Sequence, residues 1–128
     1  MNLQRACPCG LPTTYDACCG RLHDGAAQAA TAEELMRSRY SAYAVGNLDY
    51  VFRTWHPRTR PDDLSPDPGL TWTGLSILDT SAGGPDDETG EVEFIATFRN
   101  HGTPGQLHER SRFLRRTTRW LYLDGDLT

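Results

Sequence analysis

The 128-residue chain has no lysine, and its 13 strongly basic residues are all arginine. That absence excludes Schiff-base and lysine-nucleophile chemistry. No stretch approaches the ~20 consecutive apolar residues of a membrane span. The opening "MNLQRACPCG" carries no apolar run ahead of its cysteines, so it does not read as a secretory signal. A cytoplasmic, reducing setting is therefore expected, in which stable disulfides are disfavoured. Acidic residues outnumber basic ones by 17 to 13, a net charge of −4, which argues against the basic field that generic nucleic-acid capture requires. Repeats and low-complexity tracts are also missing.

Cysteine is absent after position 19. All four, Cys7, Cys9, Cys18 and Cys19, lie in "CPCGLPTTYDACCG". Two thiolate pairs separated by a short bend can close on one tetrahedral zinc ion, with Gly10 letting the chain reverse and Pro8 limiting its freedom. About fifteen residues cannot build a hydrophobic core, so the metal would supply their folding energy. Four thiolates leave no coordination position for water or substrate, so the ion is structural. Two disulfides, free or redox-active thiols, and an iron–sulfur cluster are the competing readings. Bridging neighbours such as Cys18 and Cys19 is strained, and the spacings differ from ferredoxin runs.

The remaining chain has the length of one domain, able to bury roughly two-thirds of its unfolded surface. "TAEELMRSRYSAYAVGNLDY" reads as a helix from a Thr31/Glu34 capping box to Gly46. A second short helix follows, capped by Asn47, with Leu48, Val51, Phe52 and Trp55 on one face and Pro57 ending it. The period then becomes alternating, with strands expected near 70–79, 91–99, 107–116 and 118–124. Helices followed by an antiparallel sheet give an α+β fold, the sheet curling around the helices.

Residues 7–20 resemble the SEC-C motif, a zinc module of the form C-P-C-G-S-G-x-x-Y-x-x-C-C-G. The matches are Cys7, Pro8, Cys9, Gly10, Tyr15, Cys18, Cys19 and Gly20. Leu11-Pro12 replaces Ser-Gly, and Thr13, Thr14, Asp16 and Ala17 stand where that family often has lysines. Further on, "LMRSRYSAYAVGN", "TWHP", "LHERSRF" and "RWLYLDG" resemble the YchJ family. That resemblance implies a SEC-C zinc module over 1–25, then a cone-shaped, nuclear transport factor 2-like cavity domain over 26–128.

Alternation in "LHERSRF" puts Glu109 and Ser111 on the inward face of such a cone, with His108, Arg110 and Arg112 opposite. Arg39, on the aromatic-bearing helix, is the expected partner of Glu109. Trp55, His56 and Trp72 are further candidates for the cavity and its rim. The bland reading makes Arg39–Glu109 a satisfied ion pair, His56 a hydrogen-bonder of the ending turn, and Tyr40, Tyr43, Trp55, Trp72 and Trp120 core. Arg110, Arg112, Arg115, Arg116 and Arg119 form the one basic concentration, read as a solvated edge. No catalytic residue is assigned. The sequence favours a zinc-binding, non-enzymatic adaptor for a protein partner, with nucleic acid disfavoured. A small-molecule binder or enzyme using the cone cavity is the alternative.

Overall fold

The structure, a computed structural model, describes residues 5–128; residues 1–4 of the expected 1–25 module lie outside the described residues. Three helices, α1 (Cys19–His23), α2 (Ala32–Val45) and α3 (Leu48–Arg53), precede four strands. These are β1 (Leu70–Ala82), β2 (Thr89–Asn100), β3 (Thr103–Arg116) and β4 (Arg119–Leu127), an antiparallel meander in sequence order. The fold is the expected α+β arrangement.

Local chemistry explains the helix ends. Thr31 Oγ1 accepts from the Glu34 N–H at 3.0 Å, capping α2. The Glu34 carboxylate does not return to Thr31; it accepts from the Ala30 N–H at 2.7 Å and meets Arg21, so only half of the capping box forms. Gly46 takes the left-handed conformation (φ 81°) that ends the helix. Asn47 Oδ1 accepts from the Tyr50 N–H and starts α3. Helix α3 stops at Arg53, short of Trp55. From there the chain joins β4: Tyr122 N–H donates to Thr54 O at 2.9 Å and His56 N–H to Tyr122 O at 2.8 Å.

The strands run longer than the alternation predicts because their connections are tight. His101 and Gly102, both at positive φ, make the two-residue turn between β2 and β3. Pro104 and Gly105, expected in a loop, lie within β3. Pairing with β4 begins only at Glu109, so Pro104 sits on an open edge where its missing N–H is tolerated. Gly105 has no side chain because the Phe98 ring lies where a Cβ would stand, 2.7 Å away.

Register shifts in β1, between Trp72 and Gly74 and between Ile77 and Asp79, help curl the sheet. Its concave face presents Val92, Phe94 and Phe113 to Leu35, Met36 and Tyr40 of α2, which together form the core.

Candidate functional site: a thiol cluster and an aromatic pocket on opposite sides of one helix

Residues 5–15 form a small hairpin. Tyr15 N–H donates to Arg5 O at 2.7 Å and Cys7 N–H to Thr13 O at 2.9 Å, while Gly10 turns the chain at φ 93°. Cys18 precedes α1 and Cys19 begins it. The four Sγ atoms lie within 4.8 Å of one another, none in a disulfide. Cys7, Cys9 and Cys19 are buried, Cys9 completely. The Cys9–Cys18 sulfur separation is 3.7 Å. A tetrahedron with zinc–sulfur bonds of about 2.3 Å has edges of about 3.8 Å, so the donor set fits one ion.

The buried thiols are electrostatically coupled. The Cys9 thiol is drawn down to about 5, chiefly by its hydrogen bond with Cys19. That contact, together with burial, pushes Cys19 up. Burial pushes Cys18 up to about 12.

The cluster is seated on α2. Arg37 Nη1 donates to Cys9 O at 2.8 Å, and Ser41 Oγ lies 3.6 Å from Cys7 Sγ. His23 bridges to the same helix. Its Nε2 lies 2.8 Å from the Ser38 carbonyl, which can only accept, so Nδ1 is the acceptor of the Tyr15 hydroxyl at 2.6 Å. Burial lowers the His23 pKa, matching this neutral tautomer.

The other side of α2 opens onto a pocket of about 310 Å³. Met36, Arg39, Tyr40 and Tyr43 line it from the helix, and Trp72, Phe94, Glu109 and Ser111 from the sheet. Trp55 and Tyr122 close one side. Arg39 is 5% exposed. Its guanidinium carbon lies 5.0 Å from the Trp55 ring centroid and 4.6 Å from that of Tyr122. Nη1 donates to Val51 O at 2.8 Å and Thr54 Oγ1 at 2.9 Å. Burial pushes its pKa below the ordinary arginine value.

The expected Arg39–Glu109 ion pair does not form: among the described residues no carboxylate oxygen comes within 4.0 Å of the guanidinium. Glu109 instead takes two hydroxyl donors on Oε2, Ser111 Oγ at 2.7 Å and Tyr122 OH at 3.0 Å. Burial, with the nearby Glu109 charge, drives the Tyr122 hydroxyl pKa up.

Of the sequence candidates, the structure brings Arg39, Trp55, Trp72, Glu109 and Ser111 to this pocket. His56 is not among its lining residues: its Nδ1 accepts from the Arg58 N–H at 3.0 Å in the turn after Pro57. Sequence reasoning missed Tyr122 and treated Tyr43 as core. Tyr43 is 38% exposed. The inward alternation of β4 after Trp120 is the signal that would have found Tyr122.

Two of the five arginines in the basic concentration are neutralised by carboxylates on the convex face. Arg110 meets Glu91, Asp79 and Glu93 at 2.6, 2.9 and 3.1 Å, and Arg112 meets Asp124 and Asp126 at 2.6 and 2.7 Å. Among the described residues, no helix is long and apolar enough to cross a membrane.

Comparison with known proteins agrees with this architecture. Residues 31–125 match the family model described as YchJ, middle NTF2-like domain. A UPF0225 protein of Streptomyces coelicolor is 55% identical over 94% of both chains, and one of Cupriavidus pinatubonensis is 52% identical over 94% of this chain and 87% of its own. The solution structure of a SEC-C motif containing protein from Rhodopseudomonas palustris superposes with a TM-score of 0.83 at 39% identity, covering 95% of this chain and 98% of that one. A crystal structure of a SEC-C motif containing protein from Psychrobacter arcticus gives 0.76 at 28% identity, over 95% and 82%. With four clustered thiols that could hold a metal ion ahead of a curled α+β sheet, the chain belongs to the YchJ family, joining a SEC-C motif to a middle domain of the nuclear transport factor 2-like kind.

Proposed function

We propose that this chain is a binding protein without chemistry of its own, in which one zinc ion held by Cys7, Cys9, Cys18 and Cys19 braces residues 5–25 against α2 and the pocket of the 26–128 unit receives a small molecule. Zinc suits four thiolates in a closed tetrahedral shell with no position left for substrate. The observation that carries the pocket reading is Arg39, a buried cation lining an open aromatic cavity with no carboxylate against it. Buried charges are normally paired, and leaving one unpaired is costly unless something else answers it.

Native mass spectrometry of protein purified from its own host tests this reading. A retained small molecule, lost in a Trp72→Ala variant that still binds zinc, is the expected result. Protein that carries none, and whose pocket signals no apolar probe shifts, contradicts it.

A second reading, the adaptor for a protein partner, is favoured by a concavity of about 450 Å³ lined by Arg53, Arg60, Arg116 and Arg119. Of these only Arg53 meets a carboxylate among the described residues, Asp49 at 3.3 Å. An acidic protein surface would find uncompensated charge there. Such a partner would be lost on combining Arg116→Glu with Arg119→Glu; equal recovery by wild type and variant removes this reading.

A further inference from the structure

Arg39 and Glu109 line the same pocket but are too far apart to pair. Each has hydrogen-bonding capacity to spare. A guanidinium carries five N–H donors and a carboxylate about four acceptor sites. Among the described residues, only Nη1 of Arg39 is engaged, with Val51 O and Thr54 Oγ1. Of Glu109, only Oε2 is engaged among those residues, with Ser111 and Tyr122. Beside Arg39, the buried Trp55 Nε1 is a further donor with no acceptor among the described residues. Between the two charges the walls are apolar and aromatic, including Tyr40, Trp72, Phe94 and Leu107.

An acid satisfies Arg39 and leaves Glu109 unanswered in an apolar surround. An amine does the reverse. Leaving either charge unpaired after water is displaced is costly, so the pocket favours a ligand that answers both. Its volume, about 310 Å³, lies at the lower end for ligand pockets and limits the guest to a small molecule.

We infer that the pocket takes a small zwitterion of amino-acid size, an ammonium and a carboxylate on an apolar or aromatic body, with the carboxylate on Arg39 and the ammonium on Glu109. This rests on the pocket being a ligand site.

The test uses four probes of one shape on zinc-loaded full-length protein: L-tryptophan, its decarboxylated form tryptamine, its deaminated form indole-3-propionate, and neutral indole. The indole N–H signals of Trp55 and Trp72 report binding. The expected result is that L-tryptophan binds at least tenfold more tightly than either singly charged probe. In the near-isosteric Glu109→Gln the advantage over indole-3-propionate is lost, and in Arg39→Gln the advantage over tryptamine is lost. Because Arg39 also holds α3, its variant could misfold, but the four-probe ranking on wild type decides alone. Indole-3-propionate or tryptamine binding as well as L-tryptophan overturns the zwitterion while leaving a ligand pocket. Binding of indole alone does the same. If none of the four shifts either signal, the pocket reading falls as well.

Discussion

Ser38 and Arg39, neighbours in the middle of α2, serve opposite structures: the Ser38 carbonyl accepts from His23 Nε2 beside the thiol cluster, while the Arg39 guanidinium lies against both the Trp55 and Tyr122 rings at the pocket. One helix is therefore the shared wall of both sites. Whatever holds the amino-terminal arm in place also holds the face of α2 from which Arg39 projects.

Cys9→Ser removes a fully buried thiol from the four-thiol set proposed to hold zinc. Binding energy at a structural zinc is folding energy, so the variant should lose bound metal and on the order of several kcal/mol of stability. Hydrogen exchange should rise first in residues 5–25, with β2 and β3 still protected. An unchanged denaturation midpoint would show that the arm is held by packing alone.

His23→Phe keeps a ring against Tyr50 but deprives the Tyr15 hydroxyl and Ser38 carbonyl of their partner, costing about 1–3 kcal/mol at pH 7.5. The gap should depend on pH. Burial lowers the folded-state pKa of His23, so the unfolded chain takes up a proton near 6.5 before the folded one does. The wild-type advantage is then complete above pH 6.5 and shrinks as pH falls below it. Urea titrations of both proteins between pH 5 and 8 check this, and a gap that widens on acidification would refute the neutral tautomer.

Phe113 is 1% exposed, packed where β3 meets the helices. Phe113→Ala should cost about 3–5 kcal/mol by lost burial and the cavity left behind. Calorimetry reads this as a lowered Tm with the metal content unchanged.

Gly125 lies under the Glu109 carboxylate, and a Cβ there would come within 2.1 Å of Oε2. Gly125→Ala should leave the sheet intact while displacing Glu109 from Ser111 and Tyr122. The readout is the carbon-13 shift of the Glu109 carboxyl, expected to move, against backbone shifts of β2, expected to stay. A carboxyl signal identical to wild type would mean Glu109 is not held as described.

The sequence made the backbone legible because its signals are local: the Thr31 and Asn47 caps, the left-handed Gly46, and the alternation from which four strands were expected. The thiol cluster was legible for the same reason, since its four cysteines lie within thirteen consecutive positions. The pocket's polar wiring was not. Glu109 and Ser111 are two apart on a strand, so their shared face could be read, but the donors to Glu109 include Tyr122 from the next strand. Trp55 reaches the pocket because the chain leaves the helical path to pair with β4, a tertiary choice that helical spacing cannot express. For Arg39, opposite charge suggested a partner, whereas the fold turns its Nη1 to Val51 and Thr54.

The proposed metal brace in the amino-terminal arm is tested most directly by metal stoichiometry of anaerobically purified full-length protein, paired with thiol alkylation. The expected result is one zinc per chain, a colourless protein, and four thiols that resist iodoacetamide until the ion is stripped. Protein free of metal, with all four thiols reacting at once while the arm stays ordered, would contradict it.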